Sequence, residues 1–165
     1  SLEDIECFEE LPEERNTLEG NAQQKAEYVF EKYGVPCFAD DTGLLIRALN
    51  NEPGVYSARY AGPECDSEKN MELVLQNLIN EKKRNAYFKT VICFLNEDGP
   101  LLFDGIIEGI ILKEKTGCDG FGYDPIFQPL GYNLSFAQMS IEKKNEISHR
   151  GIAVRKFIKY LSSRF

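Results

Sequence analysis

The spacing of apolar residues along the chain predicts three helices. In residues 17 to 34, apolar or small side chains recur every three or four positions, which is helical spacing. The same spacing recurs in residues 67 to 79 and 148 to 161. Each stretch begins at a residue type that caps helices: Asn16 or Thr17 for the first, Asp66 or Ser67 for the second and Ser148 for the third.

Two stretches between these helices have the composition of strands. Residues 86 to 95 and 101 to 112 are rich in β-branched and aromatic side chains. The turn-forming residues 96 to 100 join them, so this region predicts an antiparallel hairpin with a longer loop. Gly105 and Gly109 lie inside the second run and predict bulges or a close approach of another backbone.

A further strand is predicted just before two adjacent carboxylates. The apolar run 35 to 39 precedes Asp40 and Asp41, and Gly43 follows as a turn residue. Neighbouring strand residues point to opposite faces, so we expect one acid to face a site and the other to be tied into the scaffold. The competing interpretation is an Asx turn that caps the next element. The pattern does not decide whether residues 44 to 49 form a helix or a strand.

Composition narrows the class of protein. A chain of 165 residues that is 42% hydrophobic and 28% charged predicts one globular domain, residues 1 to 165, with a real core. The formal net charge of −8 and the pI of about 4.8 argue against a nucleic-acid-binding surface. A small anionic ligand is not excluded, because a few lysines and arginines can dominate one pocket.

Cysteine usage and hydropathy predict the cellular compartment of the protein. The five cysteines are an odd number, are widely spread and include no C-x-x-C pair, which favours free thiols in a reducing compartment. The sequence shows no apolar run long enough to span a bilayer and no signal-peptide pattern. We therefore expect a cytoplasmic protein without a membrane partner.

Two cations near the predicted first helix and loop have open interpretations. Lys25 lies off the apolar stripe of its helix and is either a surface lysine or the rim of an anion site. Arg59 lies in residues 53 to 62, which predict a structured loop because turn residues bound them on both sides. Arg59 is then either a cation beside a substrate or an ion-pair partner of one of the many acids.

A glycine-rich segment, residues 116 to 125, combines three glycines with two aromatic and two acidic side chains. Glycines allow unusual backbone torsions, so such a loop can hold an aromatic face rigidly against a ligand. Planar bases are bound by stacking and by hydrogen bonds to their edges. The alternative is a glycine-rich connection whose aromatic side chains belong to the core.

The start of the predicted last helix carries two unusual residues, His149 and Arg150. The helix dipole disfavours cations in a first turn, so their presence indicates contact with a ligand that is negative or rich in acceptors. His149 is the single histidine of the chain, and a lone histidine is more often structural. Arg150 beside it favours the ligand interpretation.

Taken together, these segments resemble the inosine triphosphate pyrophosphatases, which hydrolyse deaminated purine nucleoside triphosphates. The matching motifs occur in the order and with the spacing of that family, and five separated motifs are more specific than any one alone. They are TLEGNAQQKA (17 to 26), FADDTGL (38 to 44), EPGVYSARYAG (52 to 62), GFGYDPIF (120 to 127) and KNEISHR (144 to 150).

The resemblance implies a fold and an activity. The fold is α/β, with an elongated central mixed β-sheet flanked by helices and two lobes around a nucleotide cleft. The activity is hydrolysis of ITP, dITP or XTP to the monophosphate and pyrophosphate, with Mg²⁺ as cofactor and a homodimer as the usual assembly. A related enzyme that prefers modified pyrimidines is the nearest rival, and the motifs at 120 to 127 and 144 to 150 argue against it.

The resemblance also implies roles for individual residues: a proton acceptor, metal ligands, phosphate contacts and base contacts. Asp41 resembles the proton acceptor and a metal ligand, Glu13 a second metal carboxylate, Lys25 a phosphate-contacting lysine and Thr42 a hydroxyl residue beside the substrate. Phe121, Gly122, Tyr123 and Asp124 resemble the loop beside base and sugar, and Lys144, His149 and Arg150 the residues that close over the base.

One feature departs from the family pattern. Its members normally open with a strand and a T/S-G-N-x-x-K phosphate loop, whereas this sequence starts after them, at Ser1. We therefore expect a domain that is N-terminally truncated relative to the family, with its remaining fold retained and weak or no turnover. The alternative function is an inactive or weakly active fragment that binds nucleotides or dimerises.

Overall fold

A five-stranded sheet with helices on both faces forms the centre of the computed structural model, which describes residues 1 to 164. The strands are β1 (Cys37–Ile46), β2 (Glu52–Pro53), β3 (Asn85–Asn96), β4 (Gly99–Ile111) and β5 (Phe127–Pro129), in the spatial order β2-β1-β3-β4-β5. The helices are α1 (Leu18–Tyr33), α2 (Ser67–Asn77), α3 (Ile141–Ile147) and α4 (His149–Ser162). Within residues 1 to 164, no helix is long and apolar enough to cross a membrane.

The α/β class is confirmed, but the sheet differs from the expected mixed arrangement. Every strand pair in the described part of the chain is antiparallel. Residues 47 to 51 join β1 to β2, and residues 97 and 98 join β3 to β4. These links are far shorter than the dozen or so residues that a parallel crossover requires. The predicted hairpin is therefore confirmed, but the expected longer loop is wrong, because Asn96 pairs with Gly99 and only two residues lie between them.

Strand β1 is longer than the sequence predicted. It does not end at the two acids but continues to Ile46, and residues 47 to 49 then form a 3-10 turn. The interpretation of Gly43 as a turn residue is wrong, because Gly43 pairs with Lys89 inside the sheet. A side chain at position 43 would lie 2.5 Å from the carbonyl oxygen of Gly54, so the glycine allows residues 54 to 59 to pack against the strand.

The two faces of the sheet are covered by different elements. Helix α1 packs on one face, where Leu18, Ala22 and Ala26 contact Val91 and Cys93 of β3. The opposite face carries α4 over one end of the sheet, and a larger core covers the other end. That core joins residues of β1 and β3 to α2, to β5 and to the 3-10 turns after β4; its largest fully buried members are Phe127, Phe136, Leu44, Ile46 and Met71.

The helix starts agree with the expected caps. The hydroxyl of Thr17 accepts from the amide of Gly20 at 3.0 Å, and that of Ser148 accepts from the amide of Gly151 at 3.1 Å. Gly105 of β4 confirms the expected close approach of another backbone, since a side chain there would lie 2.0 Å from the carbonyl oxygen of His149. This contact seats the first turn of α4 directly on the sheet.

Candidate functional site

Strand β1 carries polar side chains to both faces of the sheet at one level. Asp41 lies opposite Val91, which packs under α1, whereas Asp40 lies opposite Ile92, which packs under α4. The expectation that the adjacent acids face opposite ways is therefore confirmed. Thr42 shares the face of Asp40, as strand alternation requires. The candidate site consequently has two parts, one on each face.

The first part is a charged cluster around Asp41. The Nζ of Lys25 donates to Oδ1 of Asp41 at 3.1 Å and to Oε1 of Glu13 at 2.7 Å. The side-chain amide of Asn21 donates to the second oxygen of Asp41 at 3.3 Å. A guanidinium nitrogen of Arg59 lies 3.4 Å from the second oxygen of Glu13. We call Asp41, Lys25, Glu13 and Asn21 the Asp41 cluster.

Burial and charge shift the pKa values in this cluster in different directions. Loss of solvent raises the pKa of Asp41 above its ordinary value, and the repulsion from Glu13 adds to this, although Lys25 acts against it. Burial also opposes ionisation of Glu13, but the hydrogen bond and charge of Lys25 outweigh it and lower that pKa. The ammonium of Lys25 is likewise desolvated, yet its two carboxylate partners raise its pKa. Lys25 is thus held as a cation between two acids.

The second part surrounds a cavity of about 260 Å³ on the opposite face. Its walls come from β1, the 3-10 helix Gly54–Arg59, the start of α2, the glycine-rich loop and the start of α4. The wall residues that the sequence also predicted are Thr42, Phe121, Gly122, Tyr123, Asp124, His149 and Arg150. A larger neighbouring cavity of about 760 Å³ shares Phe121, His149 and Arg150 and extends past Lys144 to α3.

The glycine-rich loop presents an aromatic ring to solvent. Phe121 is 68% exposed, whereas Asp124 three residues later is buried. One oxygen of Asp124 accepts from the amide of Phe121 at 2.8 Å and also from the ammonium of Lys144. That ammonium lies 4.5 Å from the centroid of the Phe121 ring. Asp124 therefore fixes both the exposed ring and the cation beside it.

Tyr123 of the same loop has a different environment. It is buried in the core, and its hydroxyl donates to the carbonyl oxygen of Ser57 at 2.8 Å. The hydroxyl of Ser57 in turn donates to the carbonyl oxygen of Gly54 and accepts from the amide of Leu44. Tyr123 thus ties the loop to the 3-10 helix and to β1. The core interpretation therefore holds for Tyr123, and ligand contact of the exposed Phe121 stays a prediction.

His149 is buried beside the cavity and stacks against an aromatic ring. Its ring stacks on Phe88 with 4.6 Å between centroids, and the residue is 6% exposed. Its Nδ1 is the one buried side-chain polar atom among residues 1 to 164 that has no hydrogen bond. Burial, helped by the charges of Arg150 and Lys144, lowers the pKa of His149 to about 3. The imidazole is therefore neutral at physiological pH.

Arg150 also lines the cavity, where it lies against β1. Its Nη2 donates to Oδ2 of Asp40 at 2.8 Å and lies 3.4 Å from the hydroxyl of Thr42. Thr42 also shares a 2.7 Å hydrogen bond with the hydroxyl of Thr90, its opposite residue on β3. Thr90 is fully buried, so this pair anchors the Thr42 side chain to the sheet.

The structure brings the predicted residues into two groups rather than one. Lys25, Glu13 and Asp41 meet on the α1 face, and the other predicted residues meet on the α4 face. Lys25 is no simple surface lysine, and Arg59 is an ion-pair partner of Glu13. Sequence reasoning missed several polar residues of the site, namely Asn21, Asp40 as a partner of Arg150, Ser57 and Thr90. Of these, Asn21 had a usable signal, because it precedes Lys25 by one helical turn.

The Asp41 cluster contains two carboxylates that could act as ligands of a metal ion. Within residues 1 to 164 there is no group of three or more histidine, cysteine, aspartate or glutamate side chains that could hold one. Two carboxylates, Glu13 and Asp41, nevertheless converge on a single cation, the ammonium of Lys25. Hard oxygen donors of this kind suit Mg²⁺, which commonly takes one or two carboxylates and completes its shell with water and substrate phosphates. The residues present therefore fit such an ion.

Comparison with known proteins gives a consistent result. Residues 1 to 160 match the Ham1 family. A protein of Flavobacterium psychrophilum named dITP/XTP pyrophosphatase is 54% identical over 163 residues, which are 99% of this chain and 86% of that protein. A protein of the same name from Porphyromonas gingivalis is 49% identical over 97% of this chain and 83% of its own length.

Solved structures agree with these sequence matches. The structure of the Staphylococcus aureus Ham1 protein superposes with a TM-score of 0.96 at 38% identity, covering 99% of this chain and 86% of that one. A HAM1 protein from Coxiella burnetii gives a TM-score of 0.90 at 38% identity over 94% of this chain and 81% of its own. The α/β fold expected from the five motifs is thereby confirmed, apart from the mixed strand arrangement.

Proposed function

Because the chain belongs to the Ham1 family, we propose that it is a nucleoside triphosphate pyrophosphatase. It hydrolyses the deaminated purine nucleotides ITP, dITP and XTP to the monophosphate and pyrophosphate, and so removes them from the nucleotide pool. Relatives named dITP/XTP pyrophosphatase that are 53 to 54% identical over nearly the whole chain support this substrate class.

One observation carries the proposal. A buried carboxylate in contact with a cation, Asp41, is the immediate chain neighbour of Thr42, which lines a cavity ringed by nucleotide-binding side-chain types. A nucleoside triphosphate needs both environments at once, since its phosphates require charge neutralisation and its base requires an aromatic face and hydrogen bonds. Strand β1 brings these two environments together.

Asp41 acts as the proton acceptor in this mechanism. Water attacks the α-phosphorus, a new P–O bond forms, the bond to the bridging oxygen of the pyrophosphate breaks, and Asp41 takes the proton of the water. Its raised pKa makes it a stronger base than an exposed aspartate. The hydrogen bonds from Lys25 and Asn21 orient the carboxylate. Lys25 also offsets the negative charge that the phosphates bring.

Glu13 and Asp41 are the residues that would hold Mg²⁺. When bound, Mg²⁺ neutralises phosphate oxygens and polarises the reacting phosphoryl group. Arg59 keeps Glu13 oriented toward the cluster through its contact with the second carboxylate oxygen. Lys25, which contacts both acids, would add a second positive charge beside the phosphates.

The α4 face binds the base. The exposed ring of Phe121 supplies a stacking surface, and Asp124 holds Lys144 beside it. Arg150, and neutral His149 in the tautomer whose N–H faces the base, are donors that suit the oxygen at C6 of a deaminated purine. Adenine carries an amino group at that position, and two facing donors leave it without an acceptor. Buried polar mismatch of this kind discriminates strongly between substrates.

Gly122 sets the direction of the backbone in the glycine-rich loop. The backbone of Gly122 has a φ of +58°, which glycine adopts at little cost, and Phe121 and Tyr123 thereby point to different environments. We also propose that the protein is a single domain, works as a homodimer and is cytoplasmic, in line with the resemblance.

The alternative, an inactive or weakly active nucleotide-binding fragment, is not favoured. Relatives named as pyrophosphatases match 97 to 99% of this chain and 83 to 86% of their own length. The contacts of Lys25 with Glu13 and with Asp41 are present in this chain. The test is pyrophosphate release from ITP and from ATP by the purified chain with Mg²⁺. Release from ITP with little from ATP supports the proposal. Tight ITP binding without release from either nucleotide would favour the fragment instead.

A further inference from the structure

We propose that Asp40 is a positioning residue for base selection, which holds the guanidinium of Arg150 against the β1 wall of the cavity. The inference rests on the proposed function, since it assigns Arg150 a place beside the base. The inference gives Asp40 a role in base selection that the adjacent Asp41 does not have. Asp41 serves the phosphate side, and Asp40 serves the base side through another residue.

The contact geometry supports this role. Nη2 of Arg150 lies 2.8 Å from Oδ2 of Asp40 and 3.4 Å from the hydroxyl of Thr42. These two partners lie two positions apart on β1 and therefore share one face of the sheet. The guanidinium has no other hydrogen bond in residues 1 to 164, so Asp40 is its main anchor.

Electrostatics explains why an acid is needed at this point. Arg150 lies in the first turn of α4, where the helix dipole repels a cation, and this turn contains no acidic residue of its own. Lys144 nearby adds a second positive charge, and Asp124 already pairs with it. Without Asp40, the guanidinium would gain by turning away into solvent, and the donor would leave the cavity wall.

The ion pair is too exposed to act mainly through stability. The side chains of Arg150 and Asp40 are 47% and 38% exposed, and pairs in such positions contribute little to folding. Its main effect is therefore to restrict the orientations of a long, flexible side chain before the base arrives. Pre-organisation of this kind raises affinity by lowering the entropy lost on binding.

The chain offers a matched control for this pair. Lys156 of α4 and Asp104 of β4 form an ion pair of the same length, 2.8 Å, with 50% and 51% exposed side chains. It joins the same helix to the same sheet, but neither residue lines the cavities around Phe121 and His149. Asp104→Asn therefore removes an equivalent pair without touching the base side.

The experiment compares Asp40→Asn, Asp40→Glu and Asp104→Asn with the wild type in pyrophosphate release from ITP and ATP. For Asp40→Asn we expect the KM for ITP to rise about fivefold to twentyfold, with kcat within about twofold and a lower preference for ITP over ATP. Asp40→Glu restores part of the affinity, and Asp104→Asn matches the wild type. Equal KM values and preferences for Asp40→Asn and the wild type would overturn the inference.

A double variant tests whether Asp40 acts through Arg150. In an Arg150→Gln background, Asp40→Asn is expected to have no further effect on KM or preference, whereas an additive loss contradicts the positioning role. Calorimetric binding of IMP, which needs no turnover, separates this inference from the proposed function. Should the wild type release no pyrophosphate, weaker IMP binding by Asp40→Asn alone still supports positioning, and unchanged IMP binding rejects it.

Discussion

The two faces of the sheet differ in the groups that they leave available for a ligand. In the Asp41 cluster each charged group meets an opposite charge, and Lys25 contacts both acids. On the α4 face the aromatic ring of Phe121 is exposed, and Nδ1 of His149 is buried without a hydrogen bond. Both faces contain ion pairs, but the α4 face also has an exposed ring and a buried polar atom without a hydrogen bond in residues 1 to 164.

This difference teaches where each kind of interaction is useful. A buried carboxylate that must accept a proton needs neighbours that orient it and keep it ionised, which ion pairs supply. A surface that must distinguish one base from another needs hydrogen-bonding groups that the protein itself does not satisfy. Changes on the α1 face should therefore affect all triphosphates alike, and changes on the α4 face should depend on the base.

The largest effect is expected for Asp41→Asn, which removes the proton acceptor but keeps the shape of the side chain. We expect pyrophosphate release from ITP to fall by a factor of about 10² to 10⁴, the usual contribution of a general base. Asp98→Asn, an exposed acid in the β3–β4 turn, is the matched control and should leave the rate unchanged. A loss below fivefold for Asp41→Asn would assign the proton transfer to another group.

Two lysine variants test the division between the faces directly. Lys25→Met should lower kcat for ITP and for poorer substrates by a similar factor, about thirtyfold, because it removes charge near the phosphates. Lys144→Met should instead raise the KM for ITP and reduce its preference over ATP, because this ammonium lies beside Phe121. Steady-state kinetics with ITP and ATP distinguish the two patterns. Identical patterns for both variants would contradict the comparison.

The buried imidazole on the α4 face predicts a pH dependence of stability. The pKa of His149 is about 3 when folded and about 6.5 when unfolded, so acid protonates the unfolded chain first. The free energy of unfolding should therefore fall as pH drops below 6.5, with His149 accounting for about 2 kcal/mol between pH 7 and pH 5. Urea unfolding at both pH values measures this loss, and His149→Gln should reduce it.

A second readout of the same residue needs no variant. The chain has a single histidine, so its imidazole proton signals in an NMR spectrum belong to His149 without further assignment. We expect them to stay constant from pH 8 to pH 5 in the folded protein. A midpoint inside that range would mean that the ring is charged near neutral pH and is not the neutral donor described above.

The smallest effect is expected for the stacking ring. Phe121→Ala should raise the KM for ITP about tenfold, in keeping with the usual contribution of base stacking on an aromatic side chain. Because the ring is 68% exposed, the thermal midpoint of unfolding should hardly change. Phe8→Ala, which removes a ring that is 79% exposed and lies outside both cavities, is the control. A KM equal to that of the wild type would place the base elsewhere.

The sequence predicted the presence of helices and strands better than the residues at which they end. Helical spacing and caps located α1, α2 and α4, because Thr17, Asp66 and Ser148 bond locally to their own helices. The prediction that Gly43 is a turn residue after β1 is wrong, although glycine usually marks turns. Position 43 lacks a side chain because the carbonyl oxygen of Gly54, eleven positions along the chain, packs against it. No local pattern contains that information.

By itself, the sequence determined which segments form helices or strands and that Asp40 and Asp41 face opposite sides of the sheet. It also contains the motifs that identify the family. The segments and the orientation of the two acids follow from local geometry, because strand and helix periods are set by neighbouring residues. Tertiary structure alone decided that Lys25 lies between Glu13 and Asp41, that Asp40 pairs with Arg150 across 110 positions, and that His149 is neutral. Charge pairing and burial depend on which distant elements meet, and only the packed sheet brings those elements together.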